Sequence, residues 1–412
     1  MKRSLLCFAL WVGLGVQIYA QQKPAPYVIL ISLDGFRYDY VKNFKPPYLT
    51  EFIRQGVQAE AMIPSFPSKT FPNHYTIVTG LTPGHHGLVD NNFYDPKRKA
   101  MYEMKNSAAV IDSYYYGGVP LWQLAKQNGM KSASYFWVGS EMSEEKRHPD
   151  YYKPFDDKED PQKRIDQTLA WLRLPENERP HLITLYFSSP DHEGHDFGPN
   201  SIQAKNAVLR DDSLINNLVQ GLKKIALPVN VIVVSDHGMA ELTVQQDTYI
   251  FMDDLFNRRD TSIIAAVGGT QVHLYIRNKK KLDSVYSMLM AKRKNFSVLR
   301  KNEYPDGWNY KVDRAGDLMI IADQGHYIRG GNWDSFLKNA KVGSKFGVHG
   351  FDPATNPDMR GIFYAKGPNI KSGRTIPQFQ NIHVYPLVAK ILGLPLPEID
   401  GKPEVLESIY QK

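Results

Sequence analysis

The sequence predicts an α/β protein with a mostly parallel sheet sandwiched by helices, and three observations carry that reading. Segments 27–33, 182–187 and 229–235 are continuous apolar runs rich in β-branched residues, as strands buried on both faces require. Helix-like stretches lie between them. Segment 201–225 sets Ile202, Val208, Leu209, Ile215, Leu218, Val219, Leu222 and Ile225 along one stripe, and 165–172 forms a shorter one. Each strand-like run then ends in a polar cluster: Asp34-Gly35, Pro190-Asp191-His192 or Asp236-His237-Gly238. Strands alternating with helices build a sheet covered on both sides, and such sheets bind ligands beyond the carboxyl ends of their strands. The three clusters are therefore expected to converge at one edge.

Residues from about 241 to 345 read as a small α+β subdomain inserted into this framework. Gly268-Gly269-Thr270 leads into alternating Val272, Leu274 and Ile276, a helix-like stretch follows at 282–291, and 318–321 is again apolar. The insertion ends before Val348-His349-Gly350. No internal repeat or low-complexity tract is evident.

Lys2 and Arg3 give the chain a positive start, an apolar run extends from Leu5 to Tyr19, and Ala20 precedes the polar Gln21 and Gln22. Residues 1–20 are thus expected to be a secretory signal peptide. The run is shorter than the roughly 20 apolar residues of a spanning helix, although an uncleaved anchor is the alternative. No second segment is apolar enough to cross a bilayer, so residues 21–412 are expected to be soluble and exported, either periplasmic or secreted. The only cysteine is Cys7, inside the signal, so the fold must rest on its core and not on disulfides. The 50 Lys and Arg against 43 Asp and Glu give a net +7, and removal of Lys2 and Arg3 leaves +5. That excess suits an acidic small molecule or an ordinary solvated surface. No basic block resembles a nucleic-acid arm; Lys279–Lys281 is a three-residue run.

The chemistry-bearing residues sit at the strand ends. Asp34 closes the first run, Asp191 and His195 straddle Gly194, Asp236 and His237 are adjacent, and His349 lies in Gly-Val-His-Gly-Phe-Asp-Pro. A buried aspartate is costly unless it is paired or coordinates a metal. Catalytic zinc accepts mixed Asp/His sets with three protein ligands and one open position, so three Asp and three His suffice for two ions. Two ions about 4 Å apart can clamp the attacking and leaving oxygens of a phosphoryl displacement. Taken singly, each residue has a plainer explanation as a turn or structural group. His85, His86, His192 and His326 are read as surface or supporting histidines.

The candidate nucleophile is Thr70, in Ser68-Lys69-Thr70-Phe71-Pro72. Its plainer role is a helix N-cap, since Pro is tolerated in a first turn. The two roles are compatible, because a helix N-terminus presents free N–H groups to a phosphate. Ser65 and Ser68 are the competing hydroxyls.

Leu-Asp-Gly-Phe-Arg, Lys-Thr-Phe-Pro-Asn-His, His86-Gly-Leu-Val-Asp-Asn-Asn-Phe-Tyr-Asp-Pro, Phe136-Trp-Val-Gly-Ser and Ser235-Asp-His-Gly-Met together closely resemble the nucleotide pyrophosphatase/phosphodiesterases of the alkaline phosphatase superfamily. The resemblance runs from about Tyr27 to the C-terminus, so an alkaline-phosphatase-like fold is expected. It implies one zinc on Asp191, His195 and His349, and another on Asp34, Asp236 and His237 with Thr70 as fourth ligand. Other divalent metals such as manganese also suit N/O ligands. It further implies a covalent phospho-threonine intermediate and release of nucleoside 5′-monophosphates. Asn91 matches an asparagine that hydrogen-bonds a non-bridging phosphate oxygen, with Asn92 as its neighbour in sequence. Phe71 and Tyr152, or Tyr151, match the rings that sandwich a nucleobase. A neutral donor such as Asn91 fits a diester better than a more highly charged monoester. The competing expectations are a phospholipid or choline-ester phosphodiesterase, a phosphomonoesterase, and a non-catalytic metal- or phosphate-binding relative.

Overall fold

The computed structural model describes residues 26–257 and 260–412; the expected signal peptide, 1–20, lies outside the described residues. Eight strands form the central sheet: β1 (Tyr27–Leu33), β2 (Val57–Ala59), β3 (Ser132–Tyr135), β4 (Tyr151–Lys153), β5 (Leu182–Phe187), β6 (Val229–Val234), β7 (Phe363–Lys366) and β8 (Arg374–Ile376). Their spatial order is β8-β2-β7-β6-β1-β5-β3-β4. The central strand β1 pairs in parallel with β5 and β6, while β7 runs antiparallel to its neighbours β6 and β2. This is the mostly parallel sheet that the apolar runs predict.

Side-chain alternation along β1 explains why its sequence is apolar at every position but Ser32. Val28 and Leu30 enter one core, and Tyr27, Ile29, Ile31 and Leu33 enter the other. The first core is closed by α2 (Thr70–Thr79) and α6 (Val384–Leu392). The second is closed by α1 (Pro47–Gln55), α3 (Pro161–Leu172) and α5 (Ile202–Leu222). A short helix, α4 (Asp191–Phe197), follows β5. A strand with helices on both sides has no polar face to show in its sequence.

Strand register sets up the site. Leu33 is level with Phe187, and Ser32 is level with both Tyr186 and Val234. Asp34, the turn into α4 and Asp236 therefore leave the sheet at one edge. Farther along the chain, Ala240–Thr243 pairs antiparallel with Lys345–Val348. Between those strands lies a four-stranded antiparallel sheet of Ile263–Val267, Gln271–Ile276, Phe296–Arg300 and Leu318–Ala322, with the helix Leu282–Ala291. Val272, Leu274, Leu289, Val298 and Ile320 give this unit a core of its own.

Candidate active site

Five elements deliver the site. Asp34 and Asp236 follow adjacent strands, α4 opens with Asp191 and carries His195 one turn later, and α2 opens with Thr70. His349 follows the strand Lys345–Val348. Two groups of three result, Asp191/His195/His349 and Asp34/Asp236/His237, with the ligand atoms of each group within 4.8 Å of one another. In the first, Asp191 Oδ2 is 3.4 Å from His195 Nε2, and the Nε2 atoms of His195 and His349 are 3.1 Å apart. In the second, His237 Nε2 is 2.9 Å from Asp236 Oδ2 and 3.6 Å from Asp34 Oδ1. The rings of His237 and His349 stack at 3.6 Å and join the two groups.

Backbone carbonyls set the orientation of all three rings. Nδ1 of His195, His237 and His349 donates to Gly347, Gly238 and Ser68, at 2.8, 2.9 and 2.8 Å. Each Nε2 lone pair therefore points inward. Two such lone pairs 3.1 Å apart repel unless a cation lies between them. The carboxylates make the same demand, since Asp34 Oδ1, Asp191 Oδ1 and Asp236 Oδ2 are buried without a hydrogen-bond donor. Inward-facing acceptors with no donors have the chemistry to hold a divalent cation, and mixed N/O donors suit zinc.

Electrostatics agree with that geometry. Burial, with Asp236 and Asp191 close by, pushes the Asp34 carboxyl well above its ordinary range, and burial with Asp191 does the same to Asp236. Burial also lowers His237, and lowers His349 well below the usual imidazole value. A cation acts oppositely on the acids and keeps them ionised. Two buried groups support the cluster without having been singled out in the sequence. Tyr186 donates its hydroxyl to Asp34 Oδ2 at 2.7 Å. His74 sits between Ser32 Oγ (2.8 Å) and the Thr70 carbonyl (2.9 Å), and burial lowers it to about 3. Tyr186 carries no local signal inside a fully buried strand, whereas His74 closes the motif Lys-Thr-Phe-Pro-Asn-His without its role being marked there.

Thr70 Oγ1 lies 3.3 Å from His237 Nε2. The N-cap position belongs to Lys69, and Thr70 is the first residue of α2 itself; the N-cap reading of Thr70 is thereby corrected by one residue. The competing hydroxyls are committed elsewhere: Ser68 donates to the Phe351 carbonyl at 2.6 Å, and Ser65 Oγ lies 3.2 Å from Asn381 Oδ1. Asn91 Oδ1 accepts the Phe71 N–H at 2.9 Å. A backbone N–H can only donate, so this contact turns the Asn91 amide nitrogen away from Phe71. Asn92 begins the next strand, Asn92–Asp95, which pairs antiparallel with Ala100–Glu103.

The aromatic candidates separate. Phe71 is half-buried beside Tyr102, at 6.4 Å between ring centroids. Tyr152 lies on β4 with its ring against His148 at 4.9 Å. Phe155, three residues later, is 51% exposed, and its ring is 6.1 Å from Tyr186, which holds Asp34. Its only signal in the sequence is an apolar residue inside the polar stretch Lys153-Pro-Phe-Asp-Asp. Among the other histidines, His192 is exposed and His85 binds Asp400 at 2.8 Å. His86 is not at the surface; it is fully buried, with Nε2 3.2 Å from the Pro72 carbonyl and Nδ1 accepting the Leu88 N–H at 3.2 Å.

Comparison with known proteins places this geometry. The family model described as type I phosphodiesterase / nucleotide pyrophosphatase matches residues 28–352. Human ectonucleotide pyrophosphatase/phosphodiesterase family member 1 is 34% identical over 387 residues, which is 90% of this chain and 40% of that protein. An uncharacterised pyrophosphatase/phosphodiesterase of Schizosaccharomyces pombe is 35% identical over 393 residues, covering 91% of this chain and 78% of its own length. The chain thus spans well under half of the human relative and about three-quarters of the yeast one. Among solved structures, murine ectonucleotide pyrophosphatase/phosphodiesterase 5, an inactive threonine-to-alanine form in complex with AMP, matches with a TM-score of 0.85 and 28% identity. That alignment covers 94% of this chain and all of the murine one.

Proposed function

Because this chain belongs to the type I phosphodiesterase/nucleotide pyrophosphatase family, we propose that it hydrolyses phosphodiester or pyrophosphate bonds of nucleotides, releasing nucleoside 5′-monophosphates through a phosphorylated Thr70. One observation carries the reading: the Thr70 hydroxyl is 3.3 Å from His237 Nε2, at the start of a ten-residue helix and beside two groups of inward-facing carboxylates and imidazoles. Asp191, His195 and His349 would hold one zinc, and Asp34, Asp236, His237 and Thr70 the other. Bound there, the ions supply Lewis-acid charge and lower the pKa of the threonine hydroxyl; manganese is the alternative for the same donors.

The chain's own residues do the rest. Thr70 Oγ1 attacks phosphorus as the bond to the leaving oxygen breaks, and water later attacks the same phosphorus and frees the threonine. The N-terminus of α2 turns its positive dipole end toward the phosphate, while the Phe71 N–H is committed to Asn91. The Asn91 amide donates to a non-bridging oxygen, a neutral donor suited to the single charge of a diester. Phe71 and a second ring, Tyr152 or the more exposed Phe155, stack on the base. The AMP carried by the murine relative supports a nucleotide as substrate. The charged start and short apolar run of residues 1–20 support export, which sequencing the N-terminus of the processed protein tests.

The substrate class is tested by comparing turnover of the nitrophenyl ester of thymidine 5′-monophosphate with nitrophenyl phosphate and nitrophenyl phosphocholine. The nucleotide diester is expected to dominate. Faster monoester hydrolysis would overturn the diesterase reading, and preference for phosphocholine would move the substrate to lipid-type esters.

A further inference from the structure

The Asn91 carbonyl accepts the Met104 N–H at 2.9 Å, and the segment around Asn91 is gripped in addition by the unit that lies between Ala240–Thr243 and Lys345–Val348. The neighbouring Asp90 is fully buried. Asp90 Oδ1 accepts the N–H of Asn91 at 2.6 Å, while Oδ2 accepts from Gln271 Nε2 at 2.6 Å and from His273 Nε2 at 3.0 Å. Gln271 and His273 lie on one buried strand, Gln271–Ile276. The other nitrogen of His273, Nδ1, is 3.0 Å from the Ala315 carbonyl. Both ring nitrogens thus face acceptors. The same unit grips the segment on either side of Asn91. Arg314 binds the Gly87 carbonyl at 2.9 Å and Asp95 at 2.8 Å, Tyr310 donates to the Val89 carbonyl, and the Tyr275 hydroxyl accepts the Tyr94 N–H at 3.1 Å.

We propose that Gln271 and His273 are positioning residues for hydrolysis: through Asp90 they lock the backbone of Asn91 so that its amide meets the phosphate. The inference deepens the proposed function and rests on it. Three facts favour this over simple packing. The contact is charge-assisted and buried, so it is stiff and directional. It ends on the backbone N–H of the residue that carries the phosphate donor. The Asn91 side chain is in turn tied to the N–H of Phe71, next to Thr70, so a shift of Asn91 is felt at the nucleophile. Loosening a donor by about 1 Å can cost on the order of 100-fold in rate.

A double-mutant cycle on the full-length, metal-loaded protein tests this, with the nitrophenyl thymidine diester as substrate. His273→Leu removes one donor to Asp90 while filling most of the space. Its kcat/KM should fall roughly 10- to 100-fold, mainly in kcat, and His273→Gln, which keeps a donor, should recover part of that loss. In an Asn91→Ala background, where the phosphate donor is gone, the same substitution should change kcat/KM by less than about twofold. An equal loss in both backgrounds, or no loss in either, overturns the proposal. If His273→Leu does not fold, Gln271→Met opens the same contact and takes its place in the cycle. AMP titration supplies a readout free of turnover: in Thr70→Ala protein, adding His273→Leu should weaken AMP binding several-fold, and unchanged binding counts against the clamp. A parent protein that neither cleaves the diester nor binds AMP refutes the functional reading itself, and the clamp falls with it; that result is read on the unsubstituted chain.

Discussion

Replacing Tyr186 with phenylalanine isolates one hydrogen bond at the metal cluster. The phenol donates to Asp34 Oδ2 at 2.7 Å, and both residues are buried. The ring also packs edge-on against His74 at 5.0 Å, and Tyr186→Phe keeps that packing. A hydrogen bond to a charged group contributes about 1.5–3 kcal/mol. If that energy serves to orient an ionised Asp34, its loss corresponds to roughly a 10- to 100-fold weaker metal, at about 1.4 kcal/mol per factor of ten. The range agrees with what removing a partner of a metal ligand typically does. Competition between the protein and a chromogenic zinc chelator measures the affinity directly. At saturating zinc, diester turnover should recover to within about threefold of the parent, since the substitution keeps the ring and removes only the hydroxyl bound to Asp34. A variant that binds zinc as tightly as the parent would refute the reasoning, because Asp34 would then not be a ligand aimed by Tyr186.

Thr70→Ala should abolish diester turnover while leaving AMP binding measurable by calorimetry; turnover within about tenfold of the parent would end its assignment as nucleophile. Dialysis against a chelator should abolish hydrolysis and added zinc should restore it, whereas recovery with manganese alone would change the metal. Phe155→Ala should raise KM for the nucleotide diester about tenfold but leave bis(nitrophenyl) phosphate unaffected; if Tyr152→Ala does this instead, the second ring of the sandwich is Tyr152. His86 makes a pH prediction. Burial lowers its pKa to about 3, and the neutral ring accepts the Leu88 N–H. Between that value and about 6.5 the unfolded chain binds the extra proton and the folded chain does not, so stability rises with pH across this window and is lost as pH falls through it. Urea midpoints of the metal-free chain should therefore drop between pH 7 and pH 5, and drop less in His86→Gln. Equal drops in both would show that His86 is not a source.

Much of the framework was legible because burial on both faces leaves no choice of residue type. Val28 to Leu33 alternate between two apolar cores, so the run is apolar apart from Ser32 and its end is marked by the first charged group, Asp34. The same logic exposed Asp191 and Asp236. The supporting groups were hidden for the converse reason. Tyr186 lies within a fully buried strand, where an aromatic reads as packing. His86, in the turn-like Pro83-Gly84-His85-His86-Gly87, read as either a surface or a supporting histidine, and burial beneath α2 against the Pro72 carbonyl makes it the second. The start of α2 was misjudged by one residue because caps depend on backbone angles, and Lys69, extended at φ −121° and ψ 153°, caps the helix by conformation without a side-chain hydrogen bond.

The sequence by itself determined the element types, the family motifs and the kinds of side chain at the strand ends, since these follow from local burial and chain connectivity. The pattern of residues alone left the six Asp and His as one undivided set of ligand types. The family resemblance divided that set into the two groups that stand together in the fold, and only the tertiary structure decided which ring nitrogen of each histidine faces inward and that a buried strand some 180 residues away holds Asp90 and thereby Asn91. Those outcomes depend on distances between residues far apart in the chain, set by strand register and by carbonyls such as those of Ser68 and Gly347. No local stretch of sequence carries that information.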